Sequence, residues 1–268
     1  MKSEEDFNFL HYYIFKFLHY TLYIIHYTLY ILLMYTLYSF LIATPLFLIA
    51  TIIIGLLVSI TALFGLKALP HRYLPMCWGR ICCWLYLLPV HVEGREQLDA
   101  KQSYIFVANH QGYLDILLMY GYLGHSFKWM MKDYLKKMPV VGQACMISHQ
   151  IFVGDSLASI QQAVKNARKT LQGGMSMSIF PEGTRTYDGR MIPFKRGAFM
   201  LANEIGLPIV PITINGSFRA FSRKARSVTR TPLTLTIHQP ITPDYYQHRP
   251  SKVFMQEVYD IIDADINL

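Results

Sequence analysis

The distribution of apolar and polar residues divides the chain at about residue 70. From residue 7 to residue 66 the only charged side chain is Lys16, and residues 40–66 carry no charge at all. About 20 apolar residues span a bilayer core, so Pro45–Leu66 is long enough to cross a membrane or to embed deeply. Pro45 interrupts any helix that reaches it. The pattern therefore predicts two membrane-associated helices, roughly 8–43 and 45–66, which either span the bilayer or form a re-entrant pair.

The first of these helices contains a repeat. Residues 20–38 read YTLYIIHYTLYILLMYTLY, with three copies of YTLY. Tyrosine rings favour the headgroup zone of a bilayer, which predicts an interfacial helix. A low-complexity repeat is the alternative, with Met34 as a second start, and we expect residues 1–33 to matter little for the chemistry. The acidic start MKSEED and the long apolar region fit a secretory signal peptide poorly.

Beyond about Val92, short apolar runs alternate with helical patterns. The continuous apolar run 104–108 is typical of a strand buried on both faces, and we predict further strands at 127–131, 151–153, 175–180, 209–214 and 233–238. We predict helices at 115–122, from Asp155 or Ser156 to 171 with Gly173-Gly174 as the stop, and at 253–262. A further apolar piece, 81–90, is too short to cross a bilayer and is expected to pack between anchor and domain.

This alternation predicts an α/β fold, with a mixed, largely parallel sheet flanked by helices and preceded by the membrane-associated two-helix segment. We divide the chain into anchoring helices, residues 1–69, and one domain, residues 70–268. In such sheets, functional sites gather at the carboxyl ends of the strands.

The charge composition of the chain indicates which kinds of partner it could bind. The chain is only 16% charged, has a net charge of +8, and its lysines and arginines recur after the apolar segment. Nucleic acid, an anionic lipid surface or a phosphate-bearing substrate would each suit a basic domain. The apolar segment favours lipid, and basic residues flanking it favour a domain on the cytoplasmic face of the membrane. The four cysteines show no metal-ligand or disulfide spacing, and we expect them to be reduced.

The stretch VANHQGYLD, residues 107–115, places His110 and Asp115 directly after a predicted strand. A carboxylate bonded to one imidazole nitrogen fixes the tautomer and raises the basicity of the other nitrogen. Such a pair takes a proton from a hydroxyl group. The alternative is a buried structural histidine that a nearby carboxylate satisfies, and the spacing by itself leaves both open.

A second stretch, SIFPEGTRT at residues 178–186, also follows a predicted strand. Gly183 lets backbone N–H groups approach a ligand, and Arg185 offers a planar fork that binds phosphate oxygens. Lys195 and Arg196 then precede a predicted helix start at Gly197. A solvated charged loop is the alternative. Two strand-end loops, one with acid–base groups and one with anion-binding groups, fit a single site better than two unrelated ones.

Four motifs in order, NHQGYLD, FPEGTR, FKRGA and VPITING, resemble the motif series of the glycerolipid acyltransferases. The similarity covers roughly residues 70–240 and is greatest to the 1-acyl-sn-glycerol-3-phosphate acyltransferase family. It implies acyl transfer from acyl-CoA or acyl-carrier protein to lysophosphatidic acid, forming phosphatidic acid. No metal or redox cofactor and no nucleic acid are implied, and membrane lipids are the expected partners.

The same resemblance assigns roles to residues. His110 would be the catalytic base, oriented by Asp115. Substrate binding would fall to residues of the second loop and the segment after it, namely Glu182, Gly183, Thr184, Arg185 and Lys195. Glu182 would position Arg185 or the loop itself.

One segment, HQIFVGD, departs from the family pattern. His149 stands where a glycine is expected, and Asp155 stands where an arginine that helps to hold substrate phosphate is expected. This keeps a different acceptor open, either glycerol 3-phosphate or another lysolipid. A transacylase that takes chains from phospholipids is a further alternative. A non-catalytic membrane lipid-binding protein is the alternative of a different class.

Overall fold

The computed structural model describes residues 2–66, 68–154, 156–171 and 174–267. The chain forms two compact units, residues 1–45 and 46–268. The domain boundary that we placed between residues 69 and 70 stays a prediction. Asp155, to which the sequence assigned a departure from the family pattern, and Gly173, the predicted helix stop, lie outside the described residues.

The N-terminal region is helical, as predicted. Helix α1 covers Lys2–Tyr38, a π-helical turn covers Ser39–Ala43, and helix α2 covers Thr44–Leu63. The wider turn lies just before Pro45, which lacks an N–H group and clashes with the carbonyl four residues earlier in a regular α-helix. The helical backbone continues through this turn, so the prediction of two separate helices was wrong: Pro45 widens one turn but does not break the helix.

The surface of these helices is unusual for a water-facing element. Large apolar side chains from Tyr12 to Phe64 are mostly exposed, and one helical stretch, His11–Leu63, is long and apolar enough to cross a membrane. The hydroxyl groups of Thr21, Thr28 and Thr36 each donate to a carbonyl four residues earlier, at 2.8 Å. Because satisfied hydroxyls are needed where water is scarce, these contacts favour association with a membrane.

The remaining helices and strands alternate along the chain. The strands are β1 Val90–Glu93, β2 Ile105–Ala108, β3 Phe127–Lys132, β4 Ile151–Val153, β5 Ser176–Ile179, β6 Ile209–Asn215 and β7 Leu233–Ile237. The helices are α3 Leu74–Leu85, α4 Asp115–Tyr122, α5 Val141–Ile147, α6 Leu157–Thr170, α7 Gly197–Ile205, α8 Ser217–Phe221, α9 Pro243–Tyr246 and α10 Ser251–Asp263.

The seven strands form one sheet in the order β1-β7-β6-β2-β5-β3-β4. Every neighbouring pair is parallel except β6 and β7. All residues of β2, β5 and β6 are buried, which explains the continuous apolar run of β2. The prediction of a mixed, largely parallel sheet flanked by helices is confirmed.

Two local features fix helices on this sheet. The predicted cap of α6 is present, since the Ser156 side chain accepts a hydrogen bond from the Ser159 N–H at 3.2 Å. Helix α3 packs closely on α4, because a Cβ at Gly79 would lie 2.5 Å from the Leu117 carbonyl oxygen. The apolar piece 81–90 is thus the end of α3 and the approach to β1.

The strand order decides where the site forms. Strand β2 lies between β6 and β5 and runs parallel to both. The loops that follow β2 and β5 therefore leave the same edge of the sheet side by side, and they carry the two chemistry-bearing motifs.

Candidate active site

The first loop is anchored to the neighbouring strand before it reaches its histidine. The Asn109 side-chain amide donates to the Ile214 carbonyl at 2.9 Å and accepts from the Ile214 N–H at 2.7 Å. This pair of bonds imitates one more rung of the sheet and places His110 at the carboxyl edge of β2. Gly112 then allows close packing on α8, since a Cβ there would lie 2.6 Å from Ser217 Oγ.

His110 and Asp115 form a hydrogen-bonded pair. Their Nδ1 and Oδ2 atoms are 2.7 Å apart, and the same carboxylate oxygen accepts from the Gly112 N–H at 2.9 Å. Asp115 is fully buried and begins α4, where the helix dipole favours a negative charge. With Nδ1 donating to Asp115, the lone pair of Nε2 is available to accept a proton.

The imidazole also rests on an aromatic ring. His110 stacks on Phe180 with ring centroids 4.0 Å apart and planes at 4°, and Phe180 stacks in turn on Trp129 at 4.9 Å. This stack limits rotation of the imidazole about its hydrogen bond to Asp115. Sequence reasoning assigned no role to Phe180 or Trp129, although Phe180 opens the FPEGTR motif.

Glu182 joins the two loops. Its Oε1 accepts from the His110 N–H at 2.6 Å, and its Oε2 accepts from the Ile192 N–H at 2.8 Å. Burial raises the pKa of Glu182 to about 7, against the opposing effect of these two amide donors. Both oxygens are therefore used within the protein, and a direct contact between Glu182 and substrate stays a prediction.

Gly183 and Lys195 lie against each other in the second loop. Gly183 has φ 72°, and a Cβ at this position would lie 2.8 Å from Lys195 Nζ. The lysine is held at its own backbone as well, since its N–H donates to the Pro181 carbonyl at 2.9 Å. Its ammonium group is thus placed over the turn that follows β5, beside the exposed Thr184.

Arg185 is stacked rather than ion-paired. Its guanidinium carbon lies 3.6 Å from the centre of the Tyr113 ring. Its Nη1 atom is buried and has no hydrogen-bond partner among the described residues. The next residue, Thr186, donates its N–H to the His110 carbonyl at 3.0 Å, so Arg185 is placed beside the histidine loop.

Residues 149–154 of the departing segment include β4. His149 takes φ 55°, the left-handed region that glycine adopts most easily, which is the residue that the resemblance expects there. Its carbonyl and that of Ser148 accept from the buried ammonium group of Lys128 at 2.9 and 3.1 Å. Burial lowers the pKa of Lys128 to about 8. Its two carbonyl acceptors follow directly on the end of α5.

Comparison with known proteins gives consistent matches. Residues 89–215 match the acyltransferase family model. A 1-acyl-sn-glycerol-3-phosphate acyltransferase of Limnanthes alba is 29% identical over 185 residues, 68% of this chain and 65% of that protein. The human 1-acyl-sn-glycerol-3-phosphate acyltransferase alpha is 33% identical over 171 residues, 60% of this chain and 59% of that protein. This chain thus spans somewhat less than two thirds of these relatives' length.

A solved structure shares the fold. The crystal structure of the 1-acyl-sn-glycerophosphate acyltransferase of Thermotoga maritima superposes with a TM-score of 0.72 at 24% sequence identity. The match covers 87% of this chain and 93% of that one. The resemblance drawn from the four motifs is confirmed by these comparisons.

Proposed function

We propose that this chain, whose residues 89–215 match the acyltransferase family model, transfers an acyl chain from a thioester to 1-acyl-glycerol-3-phosphate. The product is phosphatidic acid. The observation that carries the proposal is the His110–Asp115 pair, 2.7 Å apart, in a loop bonded directly to a second loop that bears Arg185. A general base and an anion-binding group therefore share one edge of the sheet.

The reaction follows from the free nitrogen of the histidine. Nε2 of His110 takes the proton from the acceptor hydroxyl as its oxygen attacks the thioester carbonyl carbon. The new C–O bond forms, the C–S bond breaks, and the imidazolium returns its proton to the departing thiolate. Asp115, buried and bonded to Nδ1, stabilises the imidazolium between these two steps. A thiolate is a good leaving group, because a simple thiol has a pKa of about 8.5.

Two cations of the second loop suit the acceptor phosphate. The buried Nη1 of Arg185 has no partner among the described residues, and Lys195 Nζ lies over Gly183. Charge-assisted hydrogen bonds to phosphate are roughly twice as strong as neutral ones. Arg185 therefore provides directional contacts and Lys195 provides a point charge.

The membrane segment has a use in this reaction. Both lysophosphatidic acid and its product reside in lipid, so a site at the cytoplasmic face receives its acceptor by lateral diffusion. The apolar stretch His11–Leu63 and the net charge of +8 support seating on an anionic leaflet. The donor is an acyl-CoA or an acyl-carrier protein thioester.

A second candidate is an acyltransferase for glycerol 3-phosphate or another lysolipid. Among these acceptors, a neutral or amino-acid-containing lysolipid is favoured by Asp155, at the position where the family resemblance expects a phosphate-binding arginine. A carboxylate there would repel a phosphate group if it faced the acceptor.

An acceptor panel tests the proposal. Purified protein in vesicles receives labelled acyl-CoA or acyl-carrier protein together with lysophosphatidic acid, glycerol 3-phosphate, or a neutral or amino-acid-containing lysolipid. We expect labelled phosphatidic acid from lysophosphatidic acid and none when the thioester is omitted. Product from glycerol 3-phosphate or another lysolipid alone would contradict the proposal in favour of the second candidate. Product without any thioester would indicate transacylation.

A further inference from the structure

Tyr113 connects the loop of the catalytic histidine to the arginine of the second loop. It lies three residues after His110 and two before Asp115, and its ring centre is 3.6 Å from the Arg185 guanidinium carbon. At that distance the planar guanidinium must lie nearly flat on the ring. A flat stack uses the face of the guanidinium and does not use its N–H groups as donors.

Tyr113 is itself held in place by α8. Its N–H donates to the Phe221 carbonyl at 3.2 Å, and the two aromatic rings lie 5.0 Å apart. The ring is nevertheless 46% exposed, so burial in a core does not account for its position. Tyr113 is therefore a fixed platform on the molecular surface rather than a side chain that follows Arg185.

The orientation of the Arg185 guanidinium depends on its contact with the Tyr113 ring. Among the described residues, no acidic side chain forms an ion pair with Arg185, and its buried Nη1 has no acceptor. A long side chain without such partners samples several rotamers, and ordering it at the moment of binding costs free energy. The Tyr113 ring removes part of that cost by holding the guanidinium in one plane beforehand.

We propose that Tyr113 is a positioning residue that orients Arg185 toward the phosphate of the acceptor, an inference that rests on the proposed function. Through Arg185, Tyr113 strengthens the binding of a phosphate-bearing acceptor.

Steady-state kinetics of Tyr113→Leu tests this role. Cation–π contacts contribute about 0.5–2 kcal/mol, so we expect KM for lysophosphatidic acid to rise about 3- to 30-fold. We expect kcat and KM for the acyl thioester to change less than about twofold, since neither involves Arg185 in the proposed mechanism. The conservative variant Tyr113→Phe keeps the ring and should restore the low KM.

Tyr245→Leu is a matched control. Tyr245, on α9, is also 46% exposed. The guanidinium carbon of Arg249 lies 3.9 Å from the centre of its ring. Loss of that stack should leave KM for lysophosphatidic acid unchanged. In an Arg185→Gln background, Tyr113→Leu should add little to the effect, because both changes remove the same interaction.

A binding measurement separates this proposal from the proposed function. Isothermal titration with a short-chain lysophosphatidic acid in detergent, without any acyl donor, should show a Kd raised by a similar factor in Tyr113→Leu and not in Tyr113→Phe. A protein that binds this lipid but forms no phosphatidic acid would overturn the proposed function while the comparison of Kd values still tests Tyr113. Unchanged KM and Kd in Tyr113→Leu, or a fall in kcat alone, would overturn the role of Tyr113. Failure of the unmodified protein to bind the lipid would overturn both.

Discussion

The loops that follow β2 and β5 leave the same edge of the sheet, yet their ionisable side chains have different kinds of partner. In the first loop the ionisable side chains bond to each other, with His110 and Asp115 in contact at 2.7 Å. In the second loop the carboxylate of Glu182 bonds only to backbone amides, and neither Arg185 nor Lys195 forms an ion pair with another described residue.

This difference matches two kinds of chemistry. A base needs its carboxylate partner permanently, because the partner fixes the tautomer and stabilises the imidazolium. A phosphate-binding cation works better without a protein carboxylate, since that carboxylate would compete with the substrate. Glu182 joins the two loops through backbone amides and forms no ion pair with Arg185 or Lys195 among the described residues.

Among the changes that test this comparison of the two loops, substitution of Arg185 should have the largest effect on KM for lysophosphatidic acid. Arg185→Gln removes the charge but keeps a polar side chain of similar reach. Hydrogen bonds to charged groups contribute about 1.5–3 kcal/mol, so we expect KM for lysophosphatidic acid to rise about 10- to 100-fold with a smaller change in kcat. Steady-state kinetics with both substrates varied measures this.

Arg223→Gln is the control for that change. Arg223 lies over the Tyr187 ring at 3.9 Å and has no role in the proposed site. An equal rise of KM in both variants would indicate a general effect of positive charge on lipid binding rather than a specific phosphate contact.

The pH dependence of stability tests the link through Glu182. Its pKa is about 7 in the folded chain and about 4.5 without the fold, so the folded protein holds this proton more tightly. The raised pKa of Glu182 therefore contributes fully to the free energy of unfolding below about pH 4.5. This contribution, on the order of 3 kcal/mol, is lost as the pH rises through about 7. Glu182→Gln should remove this part of the decline in thermal stability.

Glu182→Gln should also lower the stability of the folded protein, and Glu204→Gln is its matched control. Glutamine has one acceptor oxygen, so either the His110 or the Ile192 N–H loses its partner, and we expect a loss of about 1–3 kcal/mol. Glu204→Gln changes an exposed glutamate that contacts Arg168 at 3.8 Å. Thermal unfolding at several pH values compares the three proteins. An identical pH dependence in the unmodified protein and in Glu182→Gln would contradict the account of this residue.

The smallest expected effect concerns Gly183. A non-glycine residue in the left-handed region costs about 1–2 kcal/mol, and an alanine Cβ here would displace Lys195 Nζ. Gly65→Ala is a matched control, since Gly65 has the same φ of 72° with no atom within 4 Å of the added carbon. Both variants should lose similar stability, but only Gly183→Ala should raise KM for lysophosphatidic acid, by a few fold. Equal KM values in the two variants would argue against a role for Lys195 in binding phosphate.

Much of this arrangement could be predicted from the sequence, because it depends on short-range pattern. Residues 104–108 are a continuous apolar run and residues 175–180 alternate apolar residues with serine before Ile179 and Phe180, so the positions of His110 and Arg185 after strands followed directly. Helix α4 begins at Asp115 and ends at Tyr122, as the pattern indicated. The relation between the two loops then followed from the rule that parallel strands share one carboxyl edge.

The remaining features depend on contacts between distant residues. Glu182 bonds to the backbone of His110, 72 residues earlier, and no side-chain pattern encodes a partner that is a backbone amide. The stacks of His110 on Phe180 and of Arg185 on Tyr113 need the register of β2 against β5, which hydrophobic periodicity does not specify. Strand β1, Val90–Glu93, was not predicted, so its parallel pairing with β7 was missed as well.

The most direct test of the central claim is acyl transfer by His110→Ala beside the unmodified protein, with lysophosphatidic acid and a labelled acyl thioester at saturation. General-base catalysis contributes about 10²- to 10⁴-fold, so we predict a fall in kcat of at least about 100-fold. His238→Ala is the control, since His238 also faces a carboxylate, that of Asp265 at 4.0 Å, but lies after β7 and outside the site. Turnover by His110→Ala within about tenfold of the unmodified protein would contradict the assignment of His110 as the base.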